Sequence, residues 1–190
     1  MDILLNLDKA IFYFINHSLS NRFFDWLMPL VTDTSNWRLP ILLALIATAV
    51  FKGKEGRDTL YLCLIALILS DFTSNRIFKP LFHRARPFEV IENARQLVQA
   101  YGYSFPSSHA ANSFSLALAV SFIWKNRWIT AALLFLAFLS GISRIYVGVH
   151  YPLDMLGGIL LAGLSVFAGI KLLDIIKGLI AKLAGKDKKQ

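Results

Sequence analysis

At 190 residues the chain has the length of one domain. Yet 56% of its residues are hydrophobic and 13% aromatic, and its mean hydropathy of +0.54 excludes an ordinary water-soluble core and makes lipid the solvent. The formal charge of +8 must sit in loops and ends, because ionisable groups at mid-bilayer are costly. That basic balance points to anionic headgroups rather than nucleic acid.

In chain order, residues 1–34 mix Ile3, Leu4, Leu5, Ile11, Phe12, Phe14 and Ile15 with Asp2, Asp8, Lys9 and His17, and then Phe23 to Val31 with Arg22 and Asp25. This pattern predicts amphipathic helices lying in the membrane interface. No basic stretch leads into a small-residue cleavage site, so a removable signal peptide is not expected. Five uncharged apolar stretches follow: Leu39–Phe51, Thr59–Ser70, Ala110–Trp124, Trp128–Ser143 and Met155–Ile170. Each falls short of the roughly 20 residues that cross a bilayer. Flanking Trp37, Arg38, Trp124, Lys125 and Trp128 supply interfacial rings and snorkelling cations. The expected fold is therefore all-α, a membrane bundle of five spans over residues 35–176 within a single domain. A Lys-rich tail over 177–190 is predicted to form a fraying surface helix. Cys63 lies in an apolar run and, being the one cysteine, forms no intrachain disulfide.

Five spans put Lys52–Arg57, Lys125–Arg127 and the tail on one face, which the positive-inside rule makes cytoplasmic. The opposite face carries the loop from Lys79 to Ser108 and the turn from Arg144 to Asp154. Three segments there hold nearly all the chemically capable side chains: Lys79 with Arg86-Pro87, Pro106-Ser107-Ser108-His109, and Ser143-Arg144 with His150 and Asp154. Lys79, Arg86 and Arg144 are three cations suited to phosphate oxygens, the arginines through a bidentate fork. Pro106 and Ser107 mark a helix start with Ser107 a candidate N-cap, whose free N–H groups attract an anion. His109 in that first turn is placed to donate a proton. Pro152 suits a first helical position, so Asp154 falls in a first turn and reaches back to one nitrogen of His150, leaving the other free to attack phosphorus.

These segments match the patterns K-x6-RP, PSGH and SR-x5-H-x3-D. The chain thus resembles the type 2 phosphatidic acid phosphatase and haloperoxidase superfamily, departing from it at Ser108, where the pattern has Gly. The resemblance implies a compact bacterial membrane lipid phosphatase. His150 would be the nucleophile forming a phosphohistidine, His109 the general acid and Asp154 the partner of His150. Lys79, Arg86, Ser107, Ser108 and Arg144 would hold the phosphate, with no metal or other cofactor. Undecaprenyl pyrophosphate, lipid A 1-phosphate, phosphatidylglycerophosphate and phosphatidic acid are the substrates it leaves open. The expected setting is the inner membrane, with the site facing the periplasm or exterior and no obligate protein partner.

A lipid phosphotransferase would use the same residues. A transporter would need polar groups along mid-membrane, whereas here they gather at one end, and the apolar spans argue against a soluble haloperoxidase. Other residues carry blander expectations. Arg84 and Arg95 read as headgroup-contacting cations, and His17 and His83 as interface residues. Asp71, Asn75 and Lys79 share a helix face, so Asp71 either orients Lys79, directly or through Asn75, or links to another helix. The small-residue stripe Gly158, Ala162, Ser165 and Gly169 suggests close helix packing within the chain, and Glu89–Ala100 a short amphipathic helix over the site.

Overall fold

The computed structural model describes residues 2–186, and every regular element among them is helical. The N-terminal pair is α1 (Asp2–Tyr13) and α2 (Arg22–Thr32), with a π-helical turn over Phe14–Ser18 after α1. Long helices α3 (Thr34–Phe51) and α4 (Gly53–Phe72) follow. A second π-helical segment, Thr73–Phe78, leads into the single turns α5 (Lys79–Phe82) and α6 (Pro87–Val90). Then come α7 (Ser108–Trp124), α8 (Arg127–Tyr146) and α9 (Pro152–Lys186).

Short polar side chains set the starts by satisfying N–H groups that have no partner inside the helix. Asn21 accepts from Phe24 N at 2.9 Å, Asp33 from Ser35 N at 2.9 Å, and Asn126 from Trp128 N and Ile129 N at 3.0 and 3.2 Å. Each expected span lies inside one long helix. The helices α3, α8 and α9 are long and apolar enough on their own to cross a membrane, as is the run Gly53–Val90 that begins with α4. Helix α7 has 17 residues, about 25 Å at 1.5 Å per residue. It nevertheless runs from one end of the bundle to the other. At its start Ser108 meets Ser74 and Asn75; at its finish Trp124 donates to Thr59 Oγ1 and lies under the Lys52 ammonium. Nearby, Lys177 pairs with Asp58 at 2.8 Å. The basic loops and the far part of α9 thus share one end, and the three chemically rich segments share the other.

The small-residue stripe of α9 packs inside the chain. A Cβ on Gly158 would stand 2.6 Å from Ser107 O and 2.9 Å from Ala110 Cβ, and one on Gly169 would stand 3.2 Å from Leu62. Glycine at 158 therefore lets α9 sit directly against the start of α7, which brings two of the three segments together.

One expectation is corrected. Glu89–Ala100 is not a helix: α6 ends at Val90, Ile91 is extended, and Asn93 takes a positive φ of 65°. Its backbone is held by other elements instead. The Asn16 amide bonds Arg95 O and N at 2.9 Å each, and Leu97 N donates to Val147 O. From residue 177 the tail is the exposed end of α9, which continues without a break to Lys186. Residues 187–190 of the expected fraying tail lie outside the described residues. The N-terminal helices pack at the site end, with Asp8, Phe12 and Met28 buried and Ile3, Leu4, Leu7, Phe23 and Trp26 exposed. That is the amphipathic division their sequence predicts.

Candidate active site

His150 lies in the turn between α8 and α9 and is 2% exposed. Asp154, in the first turn of α9, turns Oδ2 toward His150 Nδ1 at 3.4 Å and accepts from Tyr151 N at 2.8 Å. The ring's other nitrogen, Nε2, faces Arg86 NH1 at 3.5 Å. Burial, with Arg144, Arg86 and Lys79 nearby, holds the imidazole well below its usual pKa. The ring is therefore neutral, with a lone pair available on Nε2.

The three cations surround this nitrogen with different freedom. Arg86 is 3% exposed and largely committed. Its Nε donates to Gly102 O at 2.8 Å, NH2 to Tyr101 O and Tyr103 O at 2.9 and 3.3 Å, and NH1 to Val149 O at 2.8 Å. A guanidinium has five N–H donors, so one remains, on NH1 beside His150 Nε2. Arg86 thus clamps the loop and offers a single donor rather than the fork expected from its residue type. Arg144 is the freer arginine. NH1 donates to Thr32 Oγ1 at 2.9 Å, while Nε is buried without a partner. A buried orphan donor on a cation is costly unless an anion completes it.

At the start of α7, Ser107 Oγ caps Ala110 N at 3.4 Å, and Ser107 N donates to Asp154 O at 2.9 Å. The N–H groups of Ser108 and His109, the first two residues of α7, have no acceptor within the helix. His109 is half-buried, with Arg144, Lys79 and His150 as neighbours. Ser108 brings its backbone to the site, but its hydroxyl turns aside to Asn75 Oδ1 at 3.1 Å and Ser74 Oγ at 2.9 Å.

Lys79 is oriented through Asn75. Lys79 Nζ donates to Asn75 Oδ1 at 2.8 Å, and Asn75 Nδ2 to Asp71 Oδ1 at 3.0 Å. Asn112 of α7 joins at Asp71 at 3.2 Å. The π-helical segment carries Ser74 and Asn75 to α7, a use to which such segments are often put. A groove of about 550 Å³ runs beside this network, apolar at Leu64, Ile68 and Phe72 and polar at Asp71, Asn75 and Arg76.

All eight expected site residues converge on one end of the bundle. Sequence reasoning missed Arg84, which is no headgroup cation: it donates to Asp154 Oδ1 at 2.6 Å and to Asp8. It missed Arg95 too, which pairs with Asp25 at 2.7 Å. The available signal was Asp8 itself, an acid four residues before Phe12 on the buried stripe of α1. His83 ends α5 in a left-handed conformation against the Tyr103 ring, and His17 stacks on Tyr13.

Residues 59–175 match the family model described as the PAP2 superfamily. A lipid A 4'-phosphatase of Bacteroides thetaiotaomicron is 30% identical over 172 residues, covering 86% of this chain and 75% of that protein. The undecaprenyl-diphosphatase BcrC of Bacillus subtilis is 28% identical, covering 85% and 82%. The crystal structure of Aquifex aeolicus LpxE superposes with a TM-score of 0.76 at 26% identity, over 87% of this chain and 95% of that one. The chain belongs to the PAP2 superfamily and is an integral membrane protein.

If Asn75 aims Lys79 at a phosphate, Asn75→Ala should raise KM for a lipid phosphate about two- to twelvefold, the worth of one ordinary hydrogen bond, with a smaller change in kcat. Steady-state kinetics in detergent check this, and an unchanged KM would contradict it.

Proposed function

We infer that this membrane lipid phosphatase cleaves a phosphomonoester or diphosphate of an envelope lipid by attack of His150 Nε2 on phosphorus. Lys79, Arg144 and the remaining N–H of Arg86 take up charge on the non-bridging oxygens, joined by the free N–H groups at the start of α7, as phosphoryl transfer requires. The bond from phosphorus to the lipid oxygen breaks as the bond to Nε2 forms. His109 gives its proton to the departing oxygen, and the Asp154 carboxylate stabilises the positive ring. Water, deprotonated by His109, then attacks phosphorus, the P–N bond breaks, and inorganic phosphate leaves. One observation carries this reading: a buried imidazole with one nitrogen facing a carboxylate and the other facing a guanidinium N–H. The relatives' substrates, lipid A and undecaprenyl diphosphate, are of the class this site would take.

Phosphate release from lipid A, undecaprenyl diphosphate, phosphatidylglycerophosphate and phosphatidic acid, each in detergent, tests the activity. At least one lipid should turn over. His150→Ala should lose more than about 1000-fold, on the scale seen when a nucleophile is removed. Excess EDTA should leave the rate within about twofold, because the cations supply the charge that a metal supplies elsewhere. A chelator-dependent loss restored by magnesium or zinc would overturn the mechanism, as would an active His150→Ala.

We place the site on the extracytoplasmic face of the cytoplasmic membrane. The opposite end holds Lys52, Lys54, Arg57, Lys125, Arg127 and Lys177, and such loop cations favour the cytoplasm. In a Cys63→Ala background, Asn93→Cys should react with an impermeant maleimide on intact spheroplasts, and Lys54→Cys only after lysis. Reversed labelling would put the site inside.

A further inference from the structure

We propose that Asp8 of α1 and Arg84 form a positioning relay for the nucleophile, which makes the N-terminal helix a working part of the catalytic end. The proposal rests on the reading of His150 and Asp154 given above. Asp8 lies outside residues 59–175, the part of the chain that matches the family model.

The geometry is a continuous chain of charged contacts. Asp8 Oδ1 accepts from Leu153 N at 2.8 Å, at the start of α9, and its Oδ2 pairs with Arg84 NH2. Arg84 NH1 donates to Asp154 Oδ1 at 2.6 Å. Asp154 then uses its other oxygen for Tyr151 N and His150 Nδ1. The side chains of Asp8 and Asp154 are 0% exposed and that of Arg84 is 22% exposed. The Arg84 guanidinium lies over the Tyr151 ring, 4.0 Å from its centroid, which fixes the plane of the fork.

Two buried carboxylates that face one guanidinium are held in place by the cation between them. Arg84 is that cation, and its planar fork allows one residue to face both. Asp8 has two effects. It holds Arg84 in the plane where NH1 meets Asp154, and it fixes the α9 start through Leu153 N. Asp154 is thereby kept in the rotamer that faces Nδ1. Neither Asp8 nor Arg84 touches the phosphate cradle of Lys79, Arg86 and Arg144. The relay should therefore act on turnover and leave phosphate binding alone. At metal sites, losing the group that orients a ligating side chain costs on the order of 10- to 100-fold, and the same scale is expected for an oriented nucleophile.

The test compares full-length Asp8→Ala, Asp8→Asn and Arg84→Lys with wild type and His150→Ala. The readouts are kcat and KM for a lipid phosphate, the Ki of inorganic phosphate, and the Tm in detergent. Asp8→Ala should lose about 10- to 100-fold in kcat, with KM and the phosphate Ki each within about threefold. Asp8→Asn keeps an acceptor for Leu153 N, should match the wild-type Tm within a few degrees, and should lose less than Asp8→Ala; it carries the test if Asp8→Ala does not fold. Arg84→Lys should lose at least as much as Asp8→Asn, since one ammonium cannot fork between two carboxylates. Wild-type kcat in the Asp8 variants would overturn the relay, and so would a loss in which KM and Ki rise in step with the fall in kcat. An active His150→Ala would instead overturn the underlying reading. An inactive His150→Ala beside fully active Asp8 variants would remove the relay alone.

Discussion

The carboxylate and carbonyl of Asp154 are where the parts of this site meet. The carbonyl accepts from Ser107 N and so ties the start of α7 to the start of α9. One carboxylate oxygen faces His150, the other Arg84. Segments far apart in the chain thus hang on one buried residue, in the first turn of a helix whose N-terminal dipole favours a negative charge there. The close approach this needs is made by Gly158, where any side chain would meet the Ser107 carbonyl.

Around that anchor the charges are arranged for an incoming anion. A buried site with Lys79, Arg86 and Arg144 near one imidazole is poorly balanced by itself. The two arginines resolve this differently: Arg86 spends most of its donors on backbone carbonyls, whereas Arg144 keeps Nε unpartnered. A phosphate would satisfy the latter, and the same positive charge adds to burial in lowering the pKa of His150. The cations of the binding site thus also act on the nucleophile.

The long apolar helices and the meeting of the eight candidate residues at one end were legible because both rest on local signals, namely apolar runs with interfacial flanks and short motifs at helix starts. Ser107 and Pro152 announce their helices in the sequence, and Asp154 follows from them. The relay through Asn75 was legible as one of several options, since i, i+4 spacing places Asp71, Asn75 and Lys79 on one face but does not say what that face meets. Partners set only by tertiary packing were not legible. Arg84 and Arg95 look like any juxtamembrane cations until α1 and α2 fold back against α9 and α8, and those contacts span 70 residues or more. The loop over Glu89–Ala100 misled for the same reason: its helical spacing is outweighed by Asn16 and Val147, which take its backbone groups into an irregular path.

The most direct test of the whole arrangement is a rapid-quench experiment with a 32P-labelled lipid phosphate. Wild-type enzyme should accumulate an acid-labile, alkali-stable label on the peptide carrying His150, and Asp154→Asn should form it much more slowly. An acid-stable label on Ser107 or Ser108, or label mapping to His109 instead of His150, would contradict the assignment of the nucleophile.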